Sequence, residues 1–383
     1  MRHLHLDLCP VGPRSAVLAA AGLTLILGVL PRASAQDAAP EPAGRRLRDI
    51  VADYPPGSIL VGGTTGSWAF GETQGEVMDR EFSYVTPEND FKQSVVRADP
   101  NSWNWSRADP WLDHIVEHGQ TLRMHAPIGP QCSTWAMEDS RTPEELEEEL
   151  RLFVSTLVDR YSGQPGIAYL DVVNETVLDN GEWFGPKEGT DSWENPWLII
   201  GQDTDPNQTP LYILYAFEEA QRISPDIKLI INQHTEPSSY AAWDKIKDTV
   251  MYLRDHGMRV DGIGWQAHVE SGWETSEHLE DLAALVEWAH ENDLEFHVTE
   301  ASVSNKNGCQ IPKYRMAQAK TYRAILEVLL RHRYSGVVGW NTWGISDAYG
   351  WMPGYCGYLF DENYEAKPAY YAIQRSLEIH KLH

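Results

Sequence analysis

The sequence is poor in basic residues, cysteine and phenylalanine. It carries 31 Lys and Arg against 56 Asp and Glu, which gives a formal net charge of −25. This shortage of positive charge excludes proteins whose affinity depends on nucleic-acid phosphates or anionic lipids, because both require a basic face. Hydrophobic residues make up 42% of the chain, enough to bury a core and to exclude a disordered protein. We expect a globular protein without a nucleic-acid partner.

The aromatic residues are unevenly distributed among types. There are only 8 Phe but 15 Trp and 17 Tyr, and the latter two combine an apolar ring with a hydrogen-bonding group. Such rings suit a surface that stacks on sugar rings, which have apolar C–H faces. Core packing would explain many of the Trp residues equally well.

Long hydrophobic runs are absent except near the amino terminus. Arg2 and Arg14 precede an apolar run from Ala16 to Leu30, and a small-x-small pattern ends at Ala35. The run is about 15 residues long, whereas a spanning helix needs about 20. We therefore predict a signal peptide over residues 1–35 that is cleaved on export. The mature chain is expected to be secreted or periplasmic, without membrane contact.

Cysteine is scarce, and removal of the signal peptide leaves three. In an oxidising compartment two of them can form a disulfide. We predict the pair Cys309 and Cys356, because both fall in loops expected at the same end of the fold. Cys132 is then a free thiol.

The remaining chain alternates between β-rich runs and helical patterns. Eight repeats of this alternation predict an α/β protein with a (β/α)8 TIM barrel. The predicted strands are Ile59–Gly63, Phe82–Thr86, Thr121–His125, Tyr169–Asn174, Ile227–Asn232, Gly262–Gln266, Glu295–Thr299 and Val337–Trp343. The predicted helices are Pro143–Tyr161, Tyr212–Ile223, Tyr240–His256, Leu279–Asn292 and Lys313–Arg333.

A doubly wound open sheet is the alternative architecture. It is disfavoured because the glycine-rich stretch at residues 62–66 lacks both the dinucleotide-binding spacing and the phosphate-loop lysine. Repeats and low-complexity tracts are also lacking. We predict a linker over residues 36–44 and a single catalytic domain over residues 45–383. The longest connection, from Thr176 to Pro210, contains Trp183, Trp193 and Trp197 and is expected to line the rim of the site.

Polar residues follow the predicted strands, where a barrel builds its active site. Glu175 ends the fourth strand and Glu300 ends the seventh, so the two carboxylates should face each other across the barrel mouth. Glycoside hydrolysis needs such a pair, because one group protonates the leaving oxygen while the other attacks or guides water. Structural ion pairs or helix caps are the alternative roles for these residues.

Six segments resemble glycoside hydrolase family 10, the retaining endo-β-1,4-xylanases. Each is a short motif, but all six occur in the family's order at predicted strand ends. The segments span residues 82–92, 171–175, 197–201, 261–268, 298–300 and 343–351. The resemblance covers most of the mature chain, from Phe82 to Ala372.

The resemblance implies that Glu175 is the general acid/base and Glu300 the nucleophile, with retention of configuration. It also implies that a polysaccharide, xylan or a related β-glycan, is the substrate. The residues implied to bind it are Glu88, Asn89, Lys92, His125, Asn174, Gln266, His268, Trp343 and Trp351.

The sequence departs from the family in three places. Gly129 and Pro130 replace a Trp-His pair on the third strand, and residues 232–235 differ from the usual Asn-Asp-Tyr-Asn. Ser302 replaces an aspartate, so His268 should lose its carboxylate partner. Both glutamates remain, which predicts working chemistry with altered specificity. We expect Trp135 or His234 to supply the missing sugar contacts.

Three alternatives remain open at this point: a hydrolase of a different or decorated β-linked glycan, a carbohydrate-binding barrel without catalysis, and a barrel metal hydrolase. The last is disfavoured because the first strand lacks His-x-His and no His-Glu-x-x-His occurs. We predict no metal, no cofactor and a monomeric enzyme that cleaves internal β-1,4-xylosidic bonds.

Overall fold

Residues 39–189, 193–306 and 308–381 are described in the computed structural model of the chain. The predicted signal peptide lies outside the described residues, as do residues 36–38 of the predicted linker. The rest of that linker lies against the domain. The backbone oxygen of Ala43 accepts a hydrogen bond from Gln374 at 3.0 Å, and Ala39 is buried.

Eight parallel strands form a closed barrel, which confirms the predicted fold class. They are β1 (Ile59–Thr65), β2 (Tyr84–Pro87), β3 (Thr121–Ile128), β4 (Ile167–Asn174), β5 (Lys228–Gln233), β6 (Gly262–Trp265), β7 (Glu295–Ser304) and β8 (Val338–Thr342). Each pairs with its neighbour in chain order, and β8 pairs with β1 to close the barrel. Because helices cover the barrel, the strands are almost entirely buried, as in other parallel sheets.

Helices surround the barrel and connect successive strands. They are α1 (Leu47–Val51), α2 (Thr73–Glu81), α3 (Gln93–Val96), α4 (Pro110–His118), α5 (Pro143–Tyr161), α6 (Leu211–Ile223), α7 (Tyr240–Asp255), α8 (Ser276–Glu291), α9 (Pro312–His332) and α10 (Pro368–His380). Among the described residues, none of the helices has the length and apolarity needed to cross a bilayer.

Local sequence explains where the helix α5 begins and where the helix α4 ends. Thr142 accepts a hydrogen bond from the backbone N–H of Glu145, whose side chain accepts one from the Thr142 N–H, and Pro143 occupies the first turn. This capping box starts α5 at the predicted residue. Gly119 follows α4 in the left-handed conformation, which a residue without Cβ adopts at little cost.

The predictions missed several short elements. The helices α1, α2, α3, α4 and α10 were not among the predicted helices, nor was the short strand His268–Glu270 predicted, which pairs with the carboxyl end of β7. The loop disulfide was predicted correctly, since Cys309 is bonded to Cys356 and Cys132 is a buried free thiol.

Candidate active site

A cavity of about 620 Å³ opens at the carboxyl ends of the barrel strands. Every residue predicted to belong to the site lines it: Glu88, Asn89, Lys92, His125, Asn174, Glu175, Gln266, His268, Glu300, Trp343 and Trp351. Residues from six different strand ends therefore meet in one cleft, because parallel strands of a barrel direct their carboxyl ends to the same face.

Glu300 lies on β7 at the floor of the cleft and is buried. Its Oε1 accepts a hydrogen bond from Asn232 at 2.7 Å, and its Oε2 lies 3.2 Å from Nε2 of His268. Burial by itself would raise the pKa of this carboxyl. The hydrogen bond from His268 and the nearby charges of His125 and Arg123 outweigh burial and lower the pKa to about 2. Glu300 is therefore held as an anion.

Glu175 follows the last residue of β4 and is differently surrounded. Its backbone has a φ of 54°, in the left-handed region that residues with a Cβ seldom adopt. Gln266 donates hydrogen bonds to Glu175 Oε1 at 2.7 Å and to Asn174 Oδ1 at 3.1 Å. The other carboxyl oxygen, Oε2, is buried and has no hydrogen-bond partner among the described residues. One oxygen is thus held in place while the other is available to a ligand.

A buried polar cluster supports the floor of the cleft from below. His125 Nδ1 lies 2.7 Å from Asp171, and Arg123 donates a hydrogen bond to the backbone oxygen of Thr299 at 3.0 Å. The His125 ring also packs edge-on against Trp343 with ring centroids 5.0 Å apart. These contacts fix the strand that carries Glu300 and the ring that forms the cleft wall.

The loop after β2 supplies one side of the cleft. Lys92 donates a hydrogen bond to the side chain of Gln131 at 2.9 Å. Burial lowers the pKa of Lys92, and the charges of Glu300, Glu175 and Glu88 oppose that effect. Burial also raises the pKa of Glu88. The Lys92 ammonium group is therefore close enough to Glu175 and Glu300 for their negative charges to stabilise it.

The altered third strand changes the shape of this wall. A Cβ on Gly129 would lie 2.4 Å from the backbone oxygen of Asn174, so β3 and β4 approach too closely here for a larger residue. Pro130, Gln131 and Cys132 line the cleft beside it. A tryptophan at position 129 would therefore require the two strands to move apart.

One of the two predicted substitutes for the missing pair is wrong. Trp135 is buried outside the cleft, where its indole N–H donates to the backbone oxygen of Arg97 at 3.1 Å. His234 does line the cleft and packs edge-on against Trp193, with centroids 5.9 Å apart. The long connection after β4 thus reaches the rim, as predicted, through Trp193.

His268 contacts the carboxylate of Glu300 but lacks a second carboxylate partner at position 302, as predicted. Ser302 lies beside His268 across the strand pairing, but its hydroxyl donates to the backbone oxygen of Glu300 at 3.2 Å. The Nδ1 atom of His268 is buried without a hydrogen-bond partner among the described residues. Trp351 covers the ring from one side, with centroids 4.8 Å apart.

Sequence reasoning did not assign a role to Asn232. Its amide donates to Glu300, and its Oδ1 accepts from the Thr299 hydroxyl at 2.7 Å, which orients the amide. The available signals were its position near the end of β5 and its match to the first Asn of the family's Asn-Asp-Tyr-Asn segment.

A second recess of about 350 Å³ continues the cleft past Glu88, Trp343 and Trp351. Trp68 and Tyr349 form its outer wall, with ring centroids 5.0 Å apart, and both are about half exposed. Nine of the 15 tryptophans fall into two groups. Trp111, Trp197, Trp243, Trp265 and Trp340 are fully buried, whereas Trp68, Trp193, Trp343 and Trp351 surround the cleft.

A parallel barrel whose open end presents two glutamates in a long aromatic cleft is the architecture of a glycoside hydrolase. The model of Glycosyl hydrolase family 10 matches residues 51–376, and the chain belongs to that family. The protein is therefore a glycoside hydrolase, and the resemblance found in its motifs is confirmed.

Individual relatives support this assignment. Endo-1,4-beta-xylanase B of Thermotoga neapolitana is 30% identical over 79% of this chain and 83% of its own length. The crystal structure of native xylanase 10B from Thermotoga maritima covers 88% of this chain and 99% of its own, with 27% identity and a TM-score of 0.75. Some relatives are much longer, and the chain spans 27% of Endo-1,4-beta-xylanase A of Thermoanaerobacterium saccharolyticum at 26% identity.

Proposed function

We propose that this protein is a secreted, retaining endo-β-1,4-xylanase. The observation that carries the proposal is the contrast between two glutamates in one cleft. Glu300 is held as an anion by Asn232 and His268, while Glu175 keeps one carboxyl oxygen unpaired. A charged nucleophile beside an acid with a free oxygen is what double displacement requires.

In the proposed first step, a carboxylate oxygen of Glu300 bonds to the anomeric carbon of the bound sugar. The bond from that carbon to the glycosidic oxygen breaks, and Glu175 transfers its proton to the leaving oxygen. The aglycone part of the chain departs with a new hydroxyl, and a covalent glycosyl-enzyme remains.

In the second step, the ionised Glu175 takes a proton from water, and the water oxygen attacks the anomeric carbon. The ester bond to Glu300 breaks, so both glutamates return to their starting states. Two inversions at one carbon give net retention of configuration. Asn174 and Gln266 lie beside Glu175 and are proposed to contact the sugar at the cleavage point.

Xylan is the proposed substrate because several relatives bear the name endo-1,4-beta-xylanase. Another structural relative, xylanase 10B from Thermotoga petrophila, was solved in complex with xylobiose; it has 26% identity and a TM-score of 0.75. The replacement of the usual pair by Gly129 and Pro130 favours a second candidate, a hydrolase of a decorated xylan or another β-linked glycan.

Product analysis separates these candidates. The purified enzyme is incubated with β-1,4-xylan, arabinoxylan, glucuronoxylan, mixed-linkage glucan and cellulose, and the products are resolved by chromatography. Short xylo-oligosaccharides establish endo-xylanase action. Products from only one decorated xylan or from a glucan support the second candidate, and binding without any product supports a carbohydrate-binding barrel.

Matched variants test the residue roles. Glu300→Gln should reduce kcat by about four orders of magnitude or more, and Glu175→Gln by about 10²- to 10⁴-fold. Glu295→Gln is the control, because Glu295 lies on the same strand at the opposite end and pairs with Lys228. Proton NMR of the first products should show the β-anomer, and an initial α-anomer would contradict the double displacement.

We propose export with cleavage after residue 35, and a monomeric mature enzyme. The apolar amino-terminal segment and the Cys309 to Cys356 disulfide support export, since structural disulfides persist in oxidising compartments. Cell fractionation with sequencing of the mature amino terminus tests this, and the expected first residue is Gln36. Light scattering of the purified enzyme tests the monomer.

A further inference from the structure

Two adjacent helices outside the cleft bring two histidines and an aspartate together. His114 and His118 stand four positions apart on α4 and share one face, while Asp79 belongs to α2. Nε2 of His114 lies 2.8 Å from Oδ1 of Asp79, and Nε2 of His118 lies 3.5 Å from Oδ2. One ligand atom from each side chain lies within 4.8 Å of the other two.

We propose that Asp79, His114 and His118 bind one zinc ion. Zinc prefers imidazole and carboxylate ligands at about 2.0–2.2 Å in a tetrahedron, which separates ligand atoms by roughly 3.3 Å. The two distances from the Asp79 carboxylate, 2.8 Å from Oδ1 to His114 and 3.5 Å from Oδ2 to His118, lie on either side of that separation. The side chains of His114, Asp79 and His118 are 10%, 14% and 33% exposed, so water can complete the coordination.

The surroundings hold these ligands in place. The Phe70 ring stacks on the His114 imidazole with centroids 3.8 Å apart and planes at 6°. Gln120 donates a hydrogen bond to Oδ1 of Asp79 at 3.1 Å, which orients the carboxylate. These neighbours restrict the His114 and Asp79 side chains before a metal binds, so metal binding costs less conformational entropy.

The local electrostatics combine favourable and opposing contributions. The ligands lie near the carboxyl ends of α2 and α4, where backbone carbonyls carry partial negative charge. Arg48 opposes a cation with its own charge. It also donates hydrogen bonds to the backbone oxygens of Asp79 at 2.6 Å and His118 at 2.7 Å, which ties the two helix ends together.

The position of the site indicates its role. The helices α2 and α4 lead into the amino ends of β2 and β3, so the three ligands lie at the face of the barrel opposite the cleft. Residues at that face contribute to stability rather than to chemistry. Zinc would cross-link two helices of the outer ring and raise thermal stability without changing hydrolysis.

Titration calorimetry and thermal denaturation of untagged protein test the site with zinc chloride alone. We expect one zinc ion per chain and a Tm increase of roughly 4 °C when free zinc exceeds its Kd a hundredfold. Asp79→Asn, which keeps the shape of the side chain, and His118→Ala should each weaken binding at least about tenfold and abolish the Tm increase. His332→Ala should behave like the wild type, because His332 is not one of the three ligands and pairs with Glu287.

Absence of zinc binding at millimolar concentration would overturn the proposal. Equal zinc affinity in the wild type, Asp79→Asn and His118→Ala would also overturn it. Zinc bound in the cleft would be revealed by loss of binding in Glu300→Gln with full binding in Asp79→Asn. Hydrolysis rates with zinc and with chelator should agree, so failure of this site leaves the proposed function untouched.

Discussion

At the scale of single residues, the charge of Glu300, the proposed nucleophile, contributes to the stability of the fold. Its pKa of about 2 in the folded protein lies below that of an unfolded-chain glutamate, near 4.3. The ionised side chain therefore stabilises the fold above about pH 4.5, and this contribution disappears as the pH falls toward 2. The fixed charge suits the proposed role of Glu300 as the nucleophile.

We predict that wild type loses roughly 3 kcal/mol of unfolding free energy relative to Glu300→Gln between pH 5 and pH 2. The glutamine variant is the matched reference because it cannot ionise. Urea denaturation of both proteins at several pH values measures the difference. A constant difference across this range would show that the pKa of Glu300 is not lowered by folding.

Asn232 offers a second test at this scale. Asn232→Asp keeps an oxygen for the Thr299 hydroxyl but replaces the amide that donates to Glu300 with a carboxylate. Two adjacent carboxylates raise each other's pKa, so the acid limb of kcat/KM should move to higher pH. We also expect a decrease of about 10²-fold at neutral pH. An unchanged pH profile would show that this hydrogen bond does not control the nucleophile.

At the scale of elements, the close contact between β3 and β4 controls the position of Glu175. A Cβ at position 129 would collide with the backbone oxygen of Asn174, the residue before the proposed acid. Gly129→Ala should therefore lower kcat at least about tenfold through displacement of Glu175. Gly357→Ala is the control, since its Cβ would meet the flexible end of Met352 at 3.3 Å and the Cβ of Ser302 at 3.9 Å, an ordinary van der Waals contact. Equal kcat in both variants would contradict this role for the strand contact.

The recess bounded by Trp68 and Tyr349 predicts a dependence on substrate length. A sugar that stacks its apolar C–H face on an aromatic ring buries apolar surface, which contributes about 25 cal/mol per Å², so roughly 55 Å² of contact is worth about tenfold. Trp68→Ala should lower kcat/KM about tenfold for long xylo-oligosaccharides and leave the shortest hydrolysed substrates unaffected. Rates measured over a series of chain lengths test this. A uniform decrease would indicate that Trp68 supports the fold instead.

At the scale of the whole molecule, one disulfide closes a loop that includes α9 and β8. Cys309 and Cys356 are 47 positions apart, and joining them restricts the unfolded chain. We predict that replacing both with serine lowers the free energy of unfolding by about 2–4 kcal/mol. Cys132 is buried, so thiol titration of the protein cleaved after residue 35, which lacks Cys9, should detect one group, and only after denaturation. Two or more groups after denaturation without reductant would contradict the disulfide.

Much of the fold followed from local sequence. The eight strands were predictable because buried parallel strands form short apolar runs that differ from amphipathic helices. The capping box of Thr142 and Glu145 determined the start of α5. The short helices α2 and α4 were missed because each has only nine residues, which gives a weak periodic signal.

The sequence by itself determined that the two glutamates meet in one cleft, because strand order places the carboxyl-terminal parts of β4 and β7 across the barrel mouth. The predicted end of β7 at Thr299 was wrong, since the strand continues to Ser304. Only the tertiary structure decided which partner each glutamate has. The sequence favoured Trp135 as a site residue and assigned no role to Asn232, yet Asn232 donates a hydrogen bond to Glu300 and Trp135 is buried outside the cleft. Hydrogen bonds between distant strands depend on the closure of the barrel, which no local pattern encodes.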